Sequence, residues 1–277
     1  MQKIRDIVDY FKSELSDIYS YRENISLAYI VIEDIFGYNR SESIINANKE
    51  IRLNEIKKIN NIIFELKNNK PIQYILGSTN FYGIKIKVNE NTLIPRPETE
   101  ELVDWILKDD FNSMLDIGTG TGCIPIAIAK NKDVKIYALD KSKNALKIAK
   151  ENSRINNVNI NFIEVDIFKF NESLNFDLIV SNPPYILKSK IDSMSSNVVD
   201  YEPHEALFVN DKDPLVFFKQ ISKIAIQMLN SNGKLYFEIN EDYATEIKLI
   251  LNEFGFVDIQ LKNDINDRNR MLRAIKK

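Results

Sequence analysis

Apolar residues recur at intervals of three and four from the start of the chain. Ile4, Ile7, Val8, Phe11, Leu15 and Ile18 fall on one face of a predicted helix. A second helix is predicted over about 24–36, ended by Gly37, which can take the left-handed conformation of a C-cap. A third, over about 48–67, gathers Ile51, Ile56, Ile59, Ile62, Ile63 and Leu66 mostly on one side, and Pro71 closes the region. Residues 1–71 are therefore expected to form a small helical bundle. Over 72–97 the pattern changes. Glycines at 77 and 83 precede alternation at Ile84, Ile86 and Val88, which predicts a β-hairpin linker. Pro97 then stands just before a helix whose first turn carries Glu98, Glu100 and Glu101, suited to the positive end of the helix dipole. From residue 113, short apolar runs alternate with segments of helical length. The predicted strands are "MLDIG", "VKIYALD", "NFIEVD", "FDLIVSN", "KLYFEIN", "FVDIQL" and "MLRAIK". Helices are predicted between them over about 121–130, 142–155, 213–230 and 242–253. This order implies an α/β domain over 98–277, a doubly wound, mainly parallel sheet with an antiparallel strand at the end.

Composition narrows the chemistry. The chain has a single cysteine among 277 residues, Cys123, so an internal disulfide and a multi-cysteine metal site are excluded. It has a single histidine, His204, so a Ser-His-Asp mechanism or a His-ligated metal centre would rest on that residue alone, and no metal is expected. Net charge is −3, without the basic excess that phosphate neutralisation favours in a duplex-binding protein, so no nucleic-acid partner is expected. No stretch approaches the roughly 18 consecutive apolar residues of a membrane span. The opening "MQKIRDIVDYFKSEL" is charged throughout, unlike a signal peptide. The expectation is a cytoplasmic protein without a membrane partner. Nothing in the pattern points to an obligate interface, so a monomer is expected.

Three of the eight glycines fall in "DIGTGTG" (Gly118, Thr119, Gly120, Thr121, Gly122), after the first strand of the α/β region and at the start of a helix. Glycine lets a backbone turn tightly and approach a ligand, and the helix N-terminus offers free N–H groups. The next strand ends in Asp140, where a carboxylate can accept from both ribose hydroxyls of a nucleoside. Dinucleotides and S-adenosyl-L-methionine both fit such a loop. The spacing here is G-x-G-x-G, not G-x-G-x-x-G, and Asp116 precedes it. An acidic group there opposes a pyrophosphate but suits the amino group of a methionine moiety, which favours S-adenosyl-L-methionine. Asp166, at the end of the third strand, can reach an adenine amino group, with Ile167 against the ring. A βα turn that merely needs small residues is the plainer reading of the loop, and a solvated strand-end aspartate that of Asp166.

The fourth strand runs into "SNPPY", Ser181 to Tyr185. Proline lacks a backbone N–H, so the ladder stops here. The carboxyl end of this strand borders the same crevice as the glycine loop. The nitrogen of an amide or exocyclic amine is a poor nucleophile because its lone pair is delocalised. Acceptors on its N–H groups return electron density to it. The side-chain oxygen of Asn182 and the carbonyl of Pro183 can serve, Pro184 stiffens the loop, and Tyr185 can lie against a planar group. No strong base is required, and catalysis would be by position and electrostatics. A turn after a buried strand is the plainer reading of Asn-Pro alone.

"DIGTGTG" followed by "SNPPY" resembles the amino-methyltransferases of the class I Rossmann-like group, which include DNA adenine N6 and RNA guanine N2 enzymes. The flanking "PIQYILGSTNFYGIKIKVNENTLIPRPETEELV" and "EPHEAL" resemble the PrmC or HemK family, which methylates the glutamine of the Gly-Gly-Gln motif in class I peptide chain release factors. The likeness runs nearly end to end. It implies that Gly118 to Gly122, Asp140, Asp166, Ile167 and Asn182 bind S-adenosyl-L-methionine. It implies that Asn182, Pro183, Pro184 and Tyr185 hold the glutamine amide, with Asn182, Pro183 and Tyr185 catalytic. It also implies that the helical domain helps dock the release factor and that "LIPRPETE" covers the methionine end of the cofactor, with Arg96, Thr99 and Glu100 as candidates. A salt bridge to a nearby carboxylate is the plainer reading of Arg96. The chain departs from the family at Val209, Asn210 and Asn240, where glycine is common. A nucleic-acid amino-methyltransferase is the alternative with the same loop chemistry. An oxidoreductase or a non-catalytic nucleotide-binding module is the alternative on the same fold.

Other signals are weaker. His204 is expected in a surface loop, Trp105 in core packing and Cys123 as a small buried residue. "NDINDRNR" is expected to turn the chain before the last strand.

Overall fold

Apolar side chains are buried in each of two compact units. The computed structural model describes residues 1–172 and 174–277. One compact unit comprises Met1–Gly77 with Ser196–Tyr201, the other Ser78–Ser195 with Glu202–Lys277.

In the first unit, α1 (Ile4–Leu15), α2 (Tyr21–Phe36), α3 (Arg40–Ile45), α4 (Leu53–Lys67) and α5 (Ile72–Leu76) enclose a core that includes Ile7, Phe11, Leu15, Ile59 and Leu66. Burying a Phe or Leu side chain fully contributes about 1.5–3 kcal/mol, so this stripe holds the bundle together. The N-terminus of α2 lies before the predicted start, at a capping box: Glu23 N–H donates to Ser20 Oγ at 3.3 Å and Ser20 N–H to Glu23 Oε2 at 2.9 Å. Gly37 ends α2 with φ of 69°, as expected of a C-cap. The predicted third helix is corrected. Residues 49–51 are extended, with Ile51 N–H donating to the Gln2 carbonyl at 2.8 Å and Ile4 N–H to that of Lys49 at 3.1 Å. Pairing with the chain start takes these backbone groups out of a helix, although Ile51 is still buried. Ile18 lies beyond α1 and is 42% exposed.

The second unit opens with a hairpin, β1 (Ser78–Phe81) and β2 (Ile84–Lys87). Phe81 pairs with Ile84 across Tyr82 and Gly83, whose φ values of 48° and 74° suit a two-residue primed turn. The hairpin is shorter than expected, because residues 72–76 form α5 and Pro71 supplies its entry.

There follow α6 (Pro97–Leu107), β3 (Ser113–Ile117), α7 (Cys123–Asn131), β4 (Lys135–Asp140), α8 (Lys143–Ile155), β5 (Asn161–Glu164) and β6 (Phe176–Ser181). Short β7 (Ile186–Leu187), α9 (Ser196–Val199, in the first unit), α10 (His204–Leu207) and β8 (Phe208–Val209) lead to α11 (Val216–Met228), β9 (Leu229–Glu238), α12 (Ala244–Glu253), β10 (Phe256–Asn263) and β11 (Asn269–Lys276). The seven predicted strands form one sheet in the order β10-β11-β9-β6-β3-β4-β5. β5, β4, β3, β6 and β9 are parallel, and β11 is antiparallel to both β9 and β10. Strand order reverses beside β3, so the carboxyl ends of β3, β4 and β6 frame the crevice where ligands sit in such sheets.

Candidate active site

The loop after β3 is bent by glycine. Gly118, Gly120 and Gly122 have φ of 76°, 54° and 79°, a region costly for other residues. A Cβ built at Gly118 or Gly120 meets nothing within 4 Å, so both open onto space. Gly122 differs. A Cβ there would stand 3.2 Å from Ala149 Cβ and from Ile126 Cδ1, so this glycine lets α8 pack against the start of α7. Asp140 braces the loop: its Oδ2 accepts from Gly120 N–H at 2.9 Å and its Oδ1 from Ser142 N–H at 2.8 Å. Asn152, fully buried on α8, adds a second brace. Its Nδ2 donates to the Thr121 carbonyl at 2.9 Å and the Lys87 carbonyl at 3.0 Å, and its Oδ1 accepts from Lys87 N–H at 2.7 Å.

A cavity of about 400 Å³ lies over these strand ends. Gly118, Gly120, Asp140, Asp166, Ile167, Asn182, Pro183 and Pro184 line it, so the structure gathers these predicted residues in one place. Thr119, Thr121, Gly122 and Tyr185 stand behind that lining. Leu93 of "LIPRPETE" reaches the cavity, whereas Arg96, Thr99 and Glu100 do not line it, Thr99 standing 3.5 Å from the lining residue Asn182. Arg96 Nη2 ion-pairs with Glu202 Oε1 at 2.5 Å, and Glu202 also accepts from Ile94 N–H at 3.1 Å. Glu100 Oε1 accepts from Tyr82 N–H at 2.9 Å. Sequence reasoning missed Glu90 to Thr92, Phe168 and Phe217, which also line it.

Carboxylates surround the crevice. Asp116 is 1% exposed and its Oδ2 has no hydrogen-bond partner among the described residues. Burial pushes its carboxyl up to about 7; the nearby Thr119 hydroxyl opposes the rise and the charge of Asp140 adds to it. An unpartnered acceptor beside a glycine loop fits the ammonium of a methionine moiety. Burial also raises Asp140, against the N–H groups of Ser142 and Gly120. Glu238, at the end of β9, is 2% exposed and is raised by burial, with the Thr99 hydroxyl and the Arg270 charge opposing. It accepts from Thr99 Oγ1 at 2.6 Å and from the Tyr185 hydroxyl at 3.4 Å. Thr99 was a candidate by resemblance, but nothing in the spacing of the sequence marks Glu238 as its partner, because their meeting spans most of the α/β unit.

At β6 the ladder ends on Ser181, whose Oγ donates to the Ile117 carbonyl at 2.7 Å and ties this strand end to β3. Pro183 is buried, Asn182 half-buried, and no peptide bond among the described residues is cis. Cys123 is buried, which pushes its thiol up to about 12. His204 is exposed and meets the Phe208 ring edge-on at 5.1 Å. Trp105 is half-buried and edge-on to Tyr236 at 5.3 Å. Val209 is buried in β8, and Asn240 Oδ1 accepts from Asp242 N–H at 3.0 Å, so the departures from glycine have local structural roles.

Sheet order, glycine loop and acidic strand ends define a Rossmann-like crevice suited to a nucleoside-bearing cofactor. Comparison with known proteins extends this. Residues 6–77 match the PrmC N-terminal domain and residues 97–200 the methyltransferase small domain. A release factor glutamine methyltransferase of Flavobacterium psychrophilum is 42% identical over 95% of this chain and 96% of its own. One of Bacteroides thetaiotaomicron is 40% identical over 97% and 98%. The chain belongs to the release factor glutamine methyltransferase family. Among solved structures, a methyltransferase from Pyrococcus furiosus aligns with a TM-score of 0.56 at 19% identity, covering 80% of this chain and 98% of that one, a likeness of fold.

Proposed function

We propose that the protein transfers a methyl group from S-adenosyl-L-methionine to the side-chain amide N5 of the glutamine in the Gly-Gly-Gln motif of class I peptide chain release factors. The observation that carries this reading is that Asn182 and Pro183 line the same cavity as Gly118, Gly120 and Asp140. In this reading Gly118 to Gly122 and Asp140 hold the cofactor, with Asp116 at its ammonium and Asp166 and Ile167 at its adenine. The bound cofactor supplies an electrophilic methyl group on a sulfonium. Asn182 Oδ1 and the Pro183 carbonyl accept from the amide N–H groups and return lone-pair density to nitrogen. Pro184 keeps the loop stiff and Tyr185 supports the planar amide. A new N–C bond forms as the sulfonium–methyl bond breaks, its electron pair staying on sulfur as a neutral thioether, and the displaced N–H proton leaves to solvent without a dedicated base.

The domain division belongs to the same proposal: residues 1–71 dock the release factor, 72–97 link, and 98–277 carry the chemistry. The enzyme acts as a cytoplasmic monomer without nucleic acid. Incubation with the cofactor and a release factor from the same cell, followed by peptide mass spectrometry, is the test. A gain of one CH2 on the Gly-Gly-Gln glutamine is expected. Transfer to RNA or DNA, with the protein unmodified, would overturn the choice of substrate.

A further inference from the structure

The proton inventory around Thr99 decides which end of the Asn182 amide faces which way. Thr99 is 3% exposed and its hydroxyl has one proton to give. Glu238 Oε2 lies 2.6 Å away, the length of a charge-assisted bond. Burial raises this carboxyl, but that short contact and the Arg270 charge beside it favour the ionised form, which has no proton, so Thr99 donates and Glu238 accepts. Asn182 Nδ2 lies 3.5 Å from the same Thr99 oxygen. With its proton committed to Glu238, Thr99 has only a lone pair left for this neighbour. An N–H satisfies that lone pair. The Asn182 oxygen, turned the same way, would set acceptor against acceptor next to a buried group. At 3.5 Å the contact is long, and its role is to select an orientation more than to bind. The amide is planar, so fixing Nδ2 on Thr99 directs Oδ1 away from it. The same carboxylate also receives the Tyr185 hydroxyl at 3.4 Å, so Glu238 meets one end of the Asn-Pro-Pro-Tyr loop directly and the other through Thr99.

We infer that Glu238, acting through Thr99, is a positioning residue that keeps the acceptor oxygen of Asn182, and not its NH2, available to the methyl-accepting nitrogen. This rests on the methyl transfer proposed above. A flipped Asn182 would offer donors to a substrate group that is itself a donor, so the flipped fraction is inactive. Glu238→Gln keeps the shape but can donate to Thr99, which frees the Thr99 proton to hold the Asn182 oxygen. Thr99→Val keeps the shape and removes the lone pair. Thr99→Ser keeps the hydroxyl.

The test measures steady-state methylation of a release factor and, separately, binding of S-adenosylhomocysteine by calorimetry. Glu238→Gln and Thr99→Val are expected to lose at least about tenfold in kcat, with binding changed by less than about twofold and Thr99→Ser close to wild type. A merely structural role would move binding and Tm together. Near-wild-type kcat in Glu238→Gln, or equal loss in Thr99→Ser and Thr99→Val, would overturn the inference. A substrate-independent readout stands beside it: NMR cross-peaks between the Asn182 side-chain NH2 and the Thr99 side chain, present in wild type and lost in Glu238→Gln. Their absence in wild type would overturn the inference even if methylation proceeds. A wild-type enzyme that leaves Gly-Gly-Gln unmodified but shows these cross-peaks would sink only the choice of substrate.

Discussion

At the scale of single residues, burial and proton count carry most of the argument. Asp116 gives up its proton near pH 4 in the unfolded chain but holds it to about 7 in the folded, cofactor-free chain. Between those values the folded state binds more protons, so its stability falls as pH rises, by about 4 kcal/mol at most. Asp116→Asn should flatten that slope, which denaturant titrations at pH 5 and pH 8 would show. An ammonium placed on Asp116 favours the ionised form. Binding of S-adenosylhomocysteine below pH 7 should therefore release a proton and tighten toward neutrality, measurable by calorimetry in buffers of different ionisation enthalpy. Asn182→Ala should lower kcat by about 10²–10³, as loss of a fixed polar contact to a reacting group does, while cofactor affinity holds. Equal loss of both would move Asn182 out of the chemistry. Asp140→Ala should do the reverse. It removes the proposed ribose acceptor and the brace on Gly120 N–H, so affinity should fall by roughly tenfold or more, at about 1.5–3 kcal/mol for a hydrogen bond to a charged group. Unchanged affinity would remove the ribose assignment.

At the scale of elements, the cofactor loop is held by packing from outside itself. Gly122→Ala would add a Cβ 3.2 Å from Ala149 Cβ, at a backbone φ of 79°. The two strains together should cost about 2–3 kcal/mol in thermal or denaturant unfolding. Loss of cofactor affinity at unchanged stability would instead mean that Gly122 touches the ligand. Asn152 ties β2, the glycine loop and α8 through three hydrogen bonds. Elements were legible where one rule governed them. The Gly37 C-cap, the glycine of the hairpin turn and the alternation at Ile84, Ile86 and Val88 are local signals; the capping sequence Ser20 to Glu23 is one too, and a predicted start at about 24 overlooked it. The misplaced start of α4 was not legible, because residues 49–51 pair with the chain start, and helical periodicity does not report such a partner. Asn152 was silent for the same reason: it sits at a helical position like any other polar residue.

At the scale of the molecule, each unit has its own core, and the proposed ligand site belongs wholly to the second. S-adenosylhomocysteine at a hundred times its Kd should stabilise the site by about 2.7 kcal/mol. Hydrogen exchange should then slow at residues 116–122, 140–142 and 181–184. Protection confined to other segments would show that the cofactor sits elsewhere. Among the described residues no helix is long and apolar enough to cross a membrane.

The sequence by itself determined the seven strands, the helices between them, the glycine turn and the proline stop, because periodicity, φ preference and a missing N–H act within a few residues. It also carried Asp140, Asn182 and Asp116 as candidates, since each stands at the end of an apolar run. Only the tertiary structure decided that Gly122 serves helix packing, that Arg96 is engaged by Glu202, and that Thr99 and Glu238 stand behind Asn182. The Arg96–Glu202 and Thr99–Glu238 contacts join residues 106 and 139 positions apart, and Gly122 meets Ala149 of the next helix, separations at which no local signature survives and only the folded sheet brings the partners together.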